Sequence, residues 1–106
     1  MPTSLKTLSK FPKTAVTNAL QRELCGEARR VLKNQGKVVP ASDGTLVGQA
    51  VSIDSLAVVE RLMAIEPIVG CELPERVVRA GGYESVQDAL DHLLPGVEKI
   101  WSKAAP

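Results

Sequence analysis

The apolar residues of this chain recur every three or four positions, and this spacing limits the fold more than any other feature. The three arginines and the single lysine of residues 14–33 fall on the opposite side of a helical wheel. Such a pattern is typical of an amphipathic helix. We predict a first helix from Thr14 to a C-cap at Gly36. Its apolar stripe consists of Val16, Leu20, Leu24, Ala28 and Val31.

Residues 37–53 interrupt the helical spacing. They contain a proline and two glycines, and their apolar residues follow no period. We predict a long loop without structure of its own, of the kind that is often functional. The second helix is expected to begin at Asp54 or Ser55, because an aspartate accepts the free N–H groups of a first turn. Pro67 is expected to end or kink it.

Two more helices follow in the pattern. A short third helix is predicted at 74–80, and a fourth is predicted to begin at Ser85 and to be broken by Pro95. Residues 1–12 and 96–106 are expected to be flexible extensions or, at the C-terminal end, a short extra helix. All 106 residues are expected to form a single domain.

The composition agrees with an all-α bundle of four helices. Only three residues are aromatic, Phe11, Tyr83 and Trp101, although 44% of the chain is hydrophobic. The core must therefore be built from aliphatic side chains, which suits packed helices better than a sheet of aromatic pairs. No segment has the two-residue period of a half-buried strand.

The charges are distributed unevenly along the chain. Residues 1–40 hold eight lysines or arginines against two glutamates, a net charge of +6, while the whole chain carries +1. This basic third is either a solvated helix face or a surface for an acidic partner, an anionic membrane or nucleic acid. Nucleic acid is disfavoured, because the segment has one aromatic residue and no known motif.

The two cysteines and the hydropathy indicate a cytoplasmic protein. Cys25 and Cys71 have no cysteine or histidine at metal-ligand spacing, so no metal site is predicted and both thiols are expected to be reduced. No apolar run approaches the roughly 20 residues that span a bilayer. The N-terminal residues lack a signal-peptide core.

The most informative motif is the tripeptide Asp54-Ser55-Leu56. The segment 53–75 that contains it reads IDSLAVVERLMAIEPIVGCELPE. It resembles the acyl carrier protein family, in which the serine of a D-S-L motif opens the second helix. The resemblance extends over about residues 46–94. The spacings it matches are those of Val59-Glu60, Met63-Ala64 with Glu66, Glu72-Leu73-Pro74, and Ser85 to Leu90.

The resemblance implies a carrier and not an enzyme. Ser55 would bear a 4′-phosphopantetheine arm, attached by a separate phosphopantetheinyl transferase, and the thiol of the arm would carry acyl groups as thioesters. The start of a helix suits a phosphate, because its free N–H groups and partial positive charge face the ligand. Acyl-loading, condensing and acyltransferase enzymes would be the partners of a monomeric chain.

The same resemblance assigns roles to individual positions. A surface read by partner enzymes would contain Asp54, Leu56, Glu60 and Met63. An acyl pocket would be lined by Val59, Leu62, Ile65, Leu73 and Val78. Apolar residues at helical spacing are core residues first, so a purely structural role stays open for each pocket residue.

The segment departs from the common fatty-acid carriers in its charge. Residues 54–80 hold five acidic residues against three arginines, and Arg61 stands where those carriers usually have an apolar residue. We therefore expect a specialised lipid or secondary-metabolite pathway with its own enzymes. A peptidyl-type carrier and an unmodified helical interaction module are the alternatives. A nucleophilic Ser55 with His92 as base is disfavoured, because no G-x-S-x-G elbow is present.

Overall fold

The computed structural model describes residues 10–104, which contain four α-helices, one short 3-10 helix and no β-strand. This described part of the chain is all-helical, as the sequence predicts. In chain order the elements are α1 (Lys13–Asn34), α2 (Asp43–Val47), α3 (Ser55–Val69), the 3-10 helix (Glu75–Val77) and α4 (Val86–Ala104).

The core lies where α1 packs against α3 and α4. Four of the five residues of the stripe predicted for α1, Val16, Leu20, Leu24 and Ala28, are completely buried, and the fifth, Val31, is half-buried. Burying each valine or leucine side chain of the stripe contributes about 1.5–3 kcal/mol to the free energy of unfolding. The largest buried residues that α3 and α4 add are Val58, Leu62, Ile65, Val69, Val86 and Leu93.

The predicted loop 37–53 contains a helix that the sequence pattern did not reveal. α2 begins after Ser42, whose hydroxyl accepts the Thr45 N–H at 3.4 Å. Its Leu46 is fully buried, and the Asp43 carboxylate pairs with Arg29 of α1. The prediction of a structureless loop is therefore wrong for these residues. One buried leucine and one ion pair stabilise a single turn that is too short to show a period.

The prediction that Pro95 breaks the fourth helix is wrong, and Pro67, predicted to end or kink the second helix, does not end it. α3 passes through Pro67 and ends at Val69, and α4 passes through Pro95 and continues to Ala104. Each proline is exposed, as is the residue four positions before it. The carbonyl that loses its helical partner can therefore bond to water. Beyond each proline the buried valines, Val69 and Val97, keep the helix on the core.

The predicted third helix at 74–80 is shorter and of a different type. It is a 3-10 helix of three residues that Pro74 precedes, and Val78 is already extended. Val77 is buried in the core, and the Arg79 amide donates to the Tyr83 hydroxyl at 2.8 Å. The Arg79 amide therefore bonds to a side chain and not to a carbonyl of a continuing helix.

The two predicted extensions contribute to the core where they are described. Phe11 is buried and its ring lies 5.5 Å from that of Trp101, centroid to centroid, so the start of the described chain packs on the end of α4. The expected extra helix at 96–106 is the continuation of α4 as far as Ala104. Residues 1–9 and 105–106 lie outside the described part of the chain.

Candidate functional site

Ser55 is the first residue of α3, and Asp54 is the N-cap before it. The Asp54 carboxylate accepts the Leu56 N–H at 2.8 Å, which is the capping role expected from the sequence. The amides of Ser55 and Ala57 belong to the same first turn and have no carbonyl of the helix to bond to. The half-buried serine therefore lies at a helix end that favours a neighbouring anion.

The chain before Ser55 is held by Tyr83. Ile53 and Tyr83 exchange two backbone hydrogen bonds, of 2.8 and 2.9 Å, and Val51 donates to the Glu84 carbonyl at 2.9 Å. Gly82 makes this approach possible, because a Cβ built on it would lie 2.1 Å from the Ile53 carbonyl oxygen. Contacts of residues 82–84 with Val51 and Ile53 thus help to fix the position of the serine.

Tyr83 is buried and its hydroxyl bonds on two sides. It accepts the Arg79 N–H and lies 2.8 Å from Nδ1 of His92. The Arg79 guanidinium stacks over the Tyr83 ring and forms two hydrogen bonds with Asp88, of 2.9 and 3.2 Å. Burial raises the pKa of the Tyr83 phenol, so the neutral hydroxyl persists. The guanidinium of Arg79 lowers the pKa of the Asp88 carboxyl.

Two adjoining cavities lie along α3, and Ser55 lines the first of them. The first, of about 240 Å³, lies between the first turns of α3 and residues 75–80, and Ser55 and Arg79 are among its lining residues. The second, of about 560 Å³, has Met63 and Glu66 on one side and the 3-10 helix on the other. Val59 and Glu75 line both. A groove with an apolar floor and charged rims therefore leads away from the serine.

The residues predicted for an acyl pocket separate into two groups. Val59 and Val78 line the first cavity, and Val59 and Leu73 line the second. Leu62 and Ile65 line neither and are 1% exposed in the core. Sequence reasoning missed Arg79 and Ala80 opposite the serine, because the path of the chain after the 3-10 helix leaves no period in the sequence. Only the Gly81-Gly82 pair indicates a turn there.

The residues predicted to be read by partners lie together on the outside of α3. Leu56 is 66% exposed and Met63 is 61% exposed, and Glu60 is exposed between them at helical spacing. Asp54 is exposed at the end of the same helix. An exposed stripe of two large apolar side chains with carboxylates beside them is a surface suited to a partly basic partner.

Arg61 belongs to α3, and its side chain contacts two glutamates of α1. Its guanidinium bonds to Glu27 at 3.0 Å and to Glu23 at 3.3 Å. Glu27 is only 3% exposed, and Arg30 also bonds to it. These partners, Arg30 first, lower the pKa of the Glu27 carboxyl against the opposing effect of burial. The charge of Arg61 is therefore compensated by α1 and does not neutralise the acidic outer face of α3.

Comparison with known protein families, with curated proteins and with solved structures finds no match to this chain. Any functional assignment therefore rests on the motif and on the geometry around Ser55. Within residues 10–104 no helix is long and apolar enough to cross a membrane.

Neither the histidine nor the cysteines of the described chain join the site around Ser55. The His92 ring bonds to Tyr83, and His92 lines a cavity that is separate from the one at Ser55, so the serine–histidine pair considered from the sequence is not formed. Cys25 is buried and Cys71 half-buried, and burial raises the pKa of both thiols. Residues 10–104 contain no group of three or more histidine, cysteine, aspartate or glutamate side chains that could hold a metal ion.

Proposed function

We propose that this chain is an acyl carrier protein whose working group is a 4′-phosphopantetheine arm on Ser55. The observation that carries the proposal is the D-S-L serine at the first position of α3, at the mouth of an open groove. A hydroxyl in this place is reachable by a transferase, and the helix end favours the phosphodiester that the transfer creates. The carrier itself performs no chemistry and presents the thioester to other enzymes.

The bundle supports an acyl-carrier arrangement. α1, α3, the 3-10 segment and α4 would correspond to the four helices of that fold, and α2 would belong to its long first loop. The exposed stripe of Leu56, Glu60 and Met63 would dock the transferase and the loading, condensing and acyltransferase enzymes. Because Arg61 is paired within the bundle, these enzymes would meet carboxylates at this face.

The pathway is proposed to be a specialised one, in lipid or secondary metabolism. Three glutamates and two arginines line the groove, which is unusual for a simple fatty chain. A peptidyl-type carrier would share the arm and differ only in cargo. An unmodified interaction module would use the same exposed stripe and would leave Ser55 free.

The test is the transfer reaction itself. The purified chain is incubated with a broad-specificity phosphopantetheinyl transferase, Mg²⁺ and coenzyme A, and the intact mass is recorded. We expect the wild type and Ser52→Ala to gain one phosphopantetheine and Ser55→Ala to gain none. Ser52 is an exposed serine three residues upstream and controls for nonspecific transfer. An unmodified wild type, also with the transferase of the source organism, would favour the interaction module.

A further inference from the structure

A cleft rich in positive charge lies between the 3-10 helix and the second half of α4. Its volume is about 280 Å³, and seven residues line it. Three of them are lysines or arginines, one is a histidine, and none is acidic. The nitrogen-bearing side chains are those of Arg76, His92, Lys99 and Lys103.

The charges of α4 are separated onto two sides. His92, Lys99 and Lys103 follow one another at seven and four residues, which places them on one face of the helix. Asp91 and Glu98, also seven residues apart, line a different cavity together with Phe11. Within residues 10–104, no carboxylate forms an ion pair with Arg76, Lys99 or Lys103. The cleft thus holds three cationic side chains that form no ion pair with the described residues.

The floor of the cleft is apolar and is formed by close packing. A Cβ on Gly96 would lie 3.3 Å from a methyl carbon of Val77, so the glycine allows the 3-10 helix to approach α4. Val77 and Ile100 line the cleft between the cations. Because the Tyr83 hydroxyl already accepts an N–H, its own hydrogen can go to Nδ1 of His92, which leaves Nε2 as a donor. A short aliphatic chain with an anionic end matches this lining.

The cleft adjoins the second cavity of the groove and shares no lining residue with the cavity at Ser55. The groove's second cavity shares Arg76 and Ile100 with the cleft, just as it shares Val59 and Glu75 with the cavity at Ser55. An arm extending from Ser55 along the shared walls would pass Arg79 and three glutamates before it reaches the cationic cleft. A neutral arm suits the first part, and an anionic end group suits the last.

We propose that the cargo of this carrier is an acyl group with a free carboxylate at its far end, and that Arg76 and Lys99 bind that carboxylate in the cleft. The inference rests on the proposed carrier function and names its substrate class: a dicarboxylic acid joined to the arm through one of its two carboxyl groups. Charged hydrogen bonds between guanidinium or ammonium groups and a carboxylate are the strong kind in proteins.

The test compares cargos that differ only in the terminal carboxylate. The ¹⁵N-labelled chain is loaded by the transferase from hexanoyl- or adipoyl-coenzyme A, and in a second pair from decanoyl- or sebacoyl-coenzyme A. We expect the dicarboxylic member of at least one pair to shift the amide signals of Arg76, Gly96 and Lys99 relative to its monocarboxylic partner. The double variant Arg76→Gln/Lys99→Gln should lose this difference, and the control Arg22→Gln/Lys33→Gln on α1 should keep it.

The outcomes separate the two proposals. If no acyl arm is transferred to Ser55 from any donor, the carrier function fails and this inference fails with it. If loading succeeds but neither pair shows a difference at the cleft, the carrier stands and the carboxylate cargo is overturned. A difference that persists in the Arg76→Gln/Lys99→Gln variant would overturn the assignment of the cleft.

Discussion

Gly82 packs against the backbone of Ile53 and Asp54 at a distance that a side chain would prevent. Its φ is +87°, and the Cβ of any other residue would lie 2.1 Å from the Ile53 carbonyl oxygen. Gly81 has a similar φ of +91° but faces open space. Substitutions at Gly81 and Gly82 therefore distinguish two destabilising effects. At Gly81 only the left-handed backbone conformation is unfavourable, whereas at Gly82 a side chain would also clash with Ile53.

Alanine at the two glycines should have unequal effects. Gly81→Ala should lower the free energy of unfolding by roughly 1–2 kcal/mol, the cost of a left-handed conformation. Gly82→Ala should lower it by about 3 kcal/mol, because Ile53 must also move. Urea denaturation measures both values. Phosphopantetheine transfer to Ser55 should slow only in Gly82→Ala, and equal losses in the two variants would contradict the role given to the Gly82 contact.

At the scale of the elements, α1 and α3 are joined by a partly buried ion pair as well as by apolar packing. Arg61 bonds to Glu23 and Glu27, yet its Nε is buried without a partner in the described chain. Removing one member of such a pair leaves the other uncompensated, whereas replacing both by apolar residues can be neutral. The pair is therefore expected to specify how the two helices meet more than to add stability.

A double-mutant cycle tests this pairing. Arg61→Met should lower the free energy of unfolding by about 1–3 kcal/mol, because Glu27 stays buried with Arg30 alone. Adding Glu27→Leu should recover most of that loss. The control Arg22→Met, at an exposed position of α1, should change it by less than about 0.5 kcal/mol. Losses of Arg61→Met and Glu27→Leu that simply add in urea denaturation would show that the two residues are not coupled.

The elements also show where sequence reasoning succeeds and where it stops. α1 and the start of α3 are predictable, because a long apolar stripe and the Asp54 cap are local signals. The continuation of α3 beyond Pro67 and of α4 beyond Pro95 is not predictable from local signals. A proline favours the end of a helix, but here the burial of Val69 and Val97 outweighs that preference. The short α2 depends on Leu46 and on contacts with α1, which no local pattern records.

Some residues of the candidate site can likewise be predicted from the sequence, and others cannot. Ser55 and the exposed stripe of α3 follow from the motif and from helical spacing. The residues across the cavity, Arg79 and Ala80, are brought there by the Ile53–Tyr83 bridge, which joins positions 30 apart in the chain. A pairing at that separation cannot be read from periodicity, and for the same reason Leu62 and Ile65 are indistinguishable from pocket residues until their burial is known.

For the whole molecule, two carboxyl groups link stability to pH. Arg30 and Arg61 lower the pKa of Glu27, and Arg79 lowers that of Asp88. A pKa that is lower in the folded than in the unfolded chain adds stability above the unfolded value, about 3.9 for Asp and 4.3 for Glu. This stability is lost as the pH falls from those values through the folded ones. The buried Glu27 should contribute more than the partly exposed Asp88.

Urea denaturation between pH 7 and pH 3 tests this dependence. The free energy of unfolding of the wild type should be nearly constant down to about pH 5 and should fall below it. Glu27→Gln should be less stable than the wild type at pH 7, and the difference should narrow as the pH falls. Glu98→Gln, at an exposed position of α4, controls for the loss of one surface carboxylate. A difference that stays constant from pH 7 to pH 3 would contradict the linkage.

The bridge between Ile53 and Tyr83 also holds together the two ends of the segment 53–83. α3 and the 3-10 helix leave and re-enter the fold at two residues that bond directly to each other. The segment between these two residues supplies every lining residue of the groove except Ile100. Such a segment is suited to transfer between proteins of the same fold, since its two ends are already paired. Arg61 would travel with it, so a recipient needs a carboxylate at the position of Glu27 in its first helix. Graft compatibility is therefore decided outside the grafted segment.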